Sequence, residues 1–97
     1  MIFMTNQQQF ENLTQLPNIG FVLAKRLMEV EIYAPEELRN IGIENTFLRL
    51  QAADPGACIQ ELYAIAGAIK GIRSNDLSSE EKAELKLFFA QAKKNLK

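Results

Sequence analysis

The feature that most restricts this chain is the run Leu16-Pro17-Asn18-Ile19-Gly20, which interrupts two stretches of helical apolar spacing. Before it, Phe10, Leu13 and Leu16 recur every third residue, and after it Ile19, Leu23, Leu27 and Val30 recur at intervals of four, four and three. Both patterns belong to helices that bury one face. Pro17 cannot continue the first helix. Asn18 is, after glycine, among the residues that best tolerate a positive φ, so it suits a tight bend. Gly20 and Ala24 are small enough for two helices to touch, and Ile19 is the apolar anchor of the bend. The run therefore predicts two packed helices joined by an Asn-centred turn, the second starting near Ile19 or Gly20 and reaching about Glu31.

The remaining segments repeat the helical spacing. Pro35 suits the first turn of a short helix to Ile41, with Glu36 and Glu37 against the positive end of the dipole and Gly42 as its stop. Ile43, Phe47 and Leu50 carry a further helix to Ala53. Asp54-Pro55 is read as a cap and first helical residue of a central helix to about Lys70, apolar around most of its circumference and including Cys58 and Tyr63 in the core. Gly71 to Leu77 is a connection, within which Arg73, Asn75 and Asp76 form a polar, solvated loop. Ser78 and Glu81 form a capping box for a long C-terminal helix with Leu85, Phe88, Phe89, Ala92 and Leu96 on one stripe. No segment alternates as a strand does, so the expected fold is all-α, a compact domain of five to six helices over residues 10–97 behind a flexible lead-in, residues 1–9.

Composition narrows the chemistry. There is no histidine and one cysteine, which removes the usual general base, the commonest neutral metal ligand and any internal disulfide. Glu80, Glu81 and Glu84 sit where capping and the helix dipole already account for them. No metal, cofactor, small-molecule substrate or catalytic pair is expected, and the chain is read as a non-enzyme. Eleven Lys and Arg against twelve Asp and Glu leave a net charge of -1, which does not advertise nucleic acid binding. No run approaches the roughly 20 apolar residues of a membrane span, and no secretory leader is evident, so a cytoplasmic location is expected.

Leu13 to Leu27 resembles the helix-hairpin-helix motif at nearly every defining position. In DNA-binding members, amides of the hairpin and of the following helix start face a phosphate, and nearby basic residues add attraction. The candidate contact here is Asn18, Ile19 and Gly20, with Lys25 and Arg26 as the nearest cations. Packing two helices compactly is the alternative use of the same hairpin. A second, weaker hairpin follows, since Leu38 to Leu50 can be laid over Thr14 to Arg26. It reads Gly42-Ile43-Glu44, and a carboxylate there opposes phosphate.

Over Leu13 to Phe89 the chain resembles the C-terminal domain of TfoX, a family of bacterial regulators of competence for DNA uptake. The resemblance rests on Leu16-Pro17-Asn18-Ile19-Gly20, Ala34-Pro35-Glu36-Glu37-Leu38, Phe47-Leu48-Arg49-Leu50, Ala53-Asp54-Pro55-Gly56, Leu62-Tyr63-Ala64 and Gly67-Ala68-Ile69-Lys70-Gly71. Members carry an N-terminal domain ahead of this one, whereas only residues 1–12 precede the motif here, so the domain is expected to stand alone or to come from a shortened relative. Ser74 replaces an aromatic residue expected after Arg73. The resemblance implies a helical regulatory module without enzymatic activity. Two partners are expected of it: a protein or a second copy of the chain, or else DNA through the first hairpin.

Overall fold

The computed structural model describes residues 5–95. Its regular structure consists of α1 (Asn6–Thr14), α2 (Phe21–Glu29), α3 (Pro35–Ile41), α4 (Ile43–Ala53), α5 (Ile59–Lys70) and α6 (Ser79–Lys94), with one 3-10 turn at Ser74–Asp76. No strand occurs among the described residues, and the fold is all-α with a long C-terminal helix. Met1 to Met4, Leu96 of the C-terminal stripe, and Lys97 lie outside the described residues.

The first helix opens at Asn6, so Gln7, Gln8 and Gln9 form its solvated first turn ahead of the apolar spacing that starts at Phe10. Thr5 Oγ1 accepts from Gln8 N–H and Gln8 Oε1 accepts from Thr5 N–H, a capping box that fixes this start. The bend then forms as expected: Asn18 has φ 68°, Ile19 is buried, and Ile19 N–H donates to Leu16 O at 3.3 Å. Gly42, which the internal register pairs with Asn18, also has positive φ, 88°, and serves at once as the end of α3 and the start of α4.

α2 stops at Glu29 because Glu31 turns left-handed, φ 64°. Ile32 N–H then reaches back to Leu27 O at 2.9 Å and Glu31 N–H to Met28 O at 3.0 Å, a Schellman closure that buries Ile32 completely. Gly71, φ 76°, closes α5 in the same way, with Ile72 N–H donating to Gly67 O at 2.9 Å.

The expected start of α5 at Pro55 is corrected. Asp54 does cap, but it caps a turn: its Oδ1 accepts from Gly56 N–H at 2.9 Å and its carbonyl from Ala57 N–H at 2.9 Å. The helix opens only at Ile59. Cys58 thus precedes the helical spacing that seemed to bury it and is exposed. Tyr63 is half-buried, and its hydroxyl lies inside without a hydrogen-bond partner among the described residues.

The core gathers where α5 meets α4 and α6. Leu62 and Ile65 of α5 are fully buried, as is Phe47 of α4, whose ring lies 5.8 Å from Phe89 and 6.2 Å from Phe88 of α6. Burying a side chain of this size contributes about 2–3 kcal/mol through apolar area alone. The expected Ser78–Glu81 box opens α6, and the Glu81 carboxylate also pairs with Lys70 at the end of α5. The bond to Lys70 first, and those to Ser78 next, lower the Glu81 carboxyl from its ordinary 4.5 to about 2.

Candidate functional site

The first hairpin was the candidate for binding, and its residues divide between interior and surface. Asn18 turns inward: its Oδ1 accepts from Ser74 N–H at 2.9 Å, and its Nδ2 donates to Ile72 O at 3.0 Å and, at longer range, to Ala64 O at 3.4 Å. This amide therefore ties the α1–α2 bend to the chain leaving α5. Gly67 makes the approach possible, because a Cβ there would lie 2.4 Å from Asn18 Nδ2 and 2.7 Å from Ile72 O.

Ile19 is core, with its amide bonded back into the bend. Arg26 is largely covered and pairs with Asp54 at 3.2 Å and with Glu61 of α5, so two carboxylates neutralise it where a phosphate would have to compete. Gly20 and Lys25 are the two candidates left at the surface, and Lys25 forms no ion pair among the described residues. Gly20 is the N-cap of α2, supplies no side-chain cap, and is followed by no acidic residue in the first turn.

Two residues that were not candidates dominate this surface. Phe21 and Val22 are 74% and 75% exposed, adjacent, and at the very start of α2. Phe10 of α1 stacks on Phe21 with ring centroids 5.4 Å apart, extending the apolar patch across both helices. A shallow groove runs beside them, lined by Gly20, Phe21, Val22, Leu23, Arg26 and Glu61. A signal for this face was present in the sequence. Phe21 and Val22 are apolar but fall off the stripe of Ile19, Leu23, Leu27 and Val30 that faces the core.

The second hairpin offers less. Glu44 stands in the first turn of α4, and the outer face beyond it is an open depression between Asn40, Ile41, Asn45, Leu48, Arg49 and Ala52. Arg49 there donates to Val30 O at 3.4 Å. Among the described residues no three Cys, Asp or Glu side chains gather as a metal ion would require. No described helix is long and apolar enough to cross a membrane.

Comparison with known proteins agrees with the architecture. The model of the TfoX C-terminal domain family matches residues 9–89. A crystal structure of an uncharacterized protein from Listeria monocytogenes, in a triclinic form, superposes with a TM-score of 0.81 at 44% identity, over 82% of this chain and 91% of that one. A tetragonal-form structure of a protein of unknown function from Listeria monocytogenes gives a TM-score of 0.81 at 42% identity, over 82% of this chain and 99% of that one. A search of curated proteins finds no match.

Proposed function

The chain belongs to the TfoX C-terminal domain family, and from that premise we propose that it is a non-enzymatic regulatory module acting through protein contacts at the start of α2. One observation carries the reading: Phe21 and Val22 stand three-quarters exposed side by side, with Phe10 against them, where a monomer gains nothing by leaving them bare. Arg26 is meanwhile held by Asp54 and Glu61. Family membership supports a place in the control of competence or of transcription more broadly, within the cytoplasm.

A second reading, contact with the DNA backbone through Asn18, Ile19, Gly20, Lys25 and Arg26, is favoured by the opening of α2 without a side-chain cap and by Lys25 behind it, which has no ion pair among the described residues. Titrating the chain against duplex DNA at about 50 and about 200 mM salt separates the two, because phosphate binding weakens steeply with salt. The proposal expects no binding at either concentration. Salt-sensitive binding that Lys25→Glu abolishes would replace it with the DNA reading.

A further inference from the structure

We draw no further inference here: the strongest candidate, the exposed patch of Phe21 and Val22 at the start of α2 with Phe10 stacked against it, belongs to the surface already proposed for docking, and nothing in the structure shows what covers it.

Discussion

Gly67→Ala is the substitution whose outcome depends most on how the first hairpin is held. In an exposed helix interior this change stabilises by about 0.8–1 kcal/mol, since glycine is the poorer helix former. Here the new Cβ would stand 2.4 Å from Asn18 Nδ2 and 2.7 Å from Ile72 O, and 3.2 Å from Ser74 N. Two of those three atoms are backbone, so only Asn18 can withdraw. Forcing a methyl into packed surroundings costs about 1–3 kcal/mol, and displacing Asn18 forfeits two good hydrogen bonds at about 1 kcal/mol each. The net effect after the helix gain is a loss of about 2–4 kcal/mol, a large part of a small domain's stability. Thermal unfolding followed by circular dichroism should show Tm falling by roughly 8–30 °C. Gly20→Ala is the control, because nothing lies within 4 Å of its Cβ and its φ is −92°, and it should cost no more than about 1 kcal/mol. Adding Gly67→Ala to Asn18→Gly should cost less than adding it to wild type, as the two changes share one contact. A Gly67→Ala variant as stable as wild type, or more so, would refute the inward placement of Asn18.

Three further outcomes follow. Glu31→Gly should stabilise the chain by about 1 kcal/mol, because φ 64° is strained for glutamate and free for glycine; urea unfolding reads it. Ser78→Ala should destabilise by about 1 kcal/mol by deleting the cap of α6, measured in the same way. Glu81 has a carboxyl lowered from 4.5 to about 2, so its contribution is complete above pH 4.5 and is lost as pH falls toward 2. The difference in urea midpoint between wild type and Glu81→Gln should accordingly be constant at neutral pH and close across that interval.

What the sequence disclosed was whatever local physics decides. The apolar spacing of α2, α4 and α6, the Ser78–Glu81 box, the stops at Gly42 and Gly71 and the Asn18 bend are set by residues within a turn or two of one another. The misreadings have two origins. At Asp54-Pro55 the same residues suit a helix cap and an Asx turn, and Gly56 tips the balance to the turn, which moves α5 and takes Cys58 out of the core. The left-handed Glu31 carries no glycine to announce it. The site was harder to read because its geometry is long-range. Arg26 meets Glu61, and Asn18 meets Ile72 and Ser74, across separations that no periodicity records. A free cation and a neutralised one look identical in a sequence.

The claim on which the functional account turns is that the bare apolar start of α2 is a working surface. Its most direct test is complementation of a host deleted for this chain with the Phe21→Ser/Val22→Ser double variant, read as the transcript profile. Losing the Phe10–Phe21 ring contact costs about 0.5–1.5 kcal/mol, so a folded chain with a modestly lowered Tm is expected alongside a profile that stays at the deletion phenotype. A stable double variant that restores the wild-type profile in full would contradict the account.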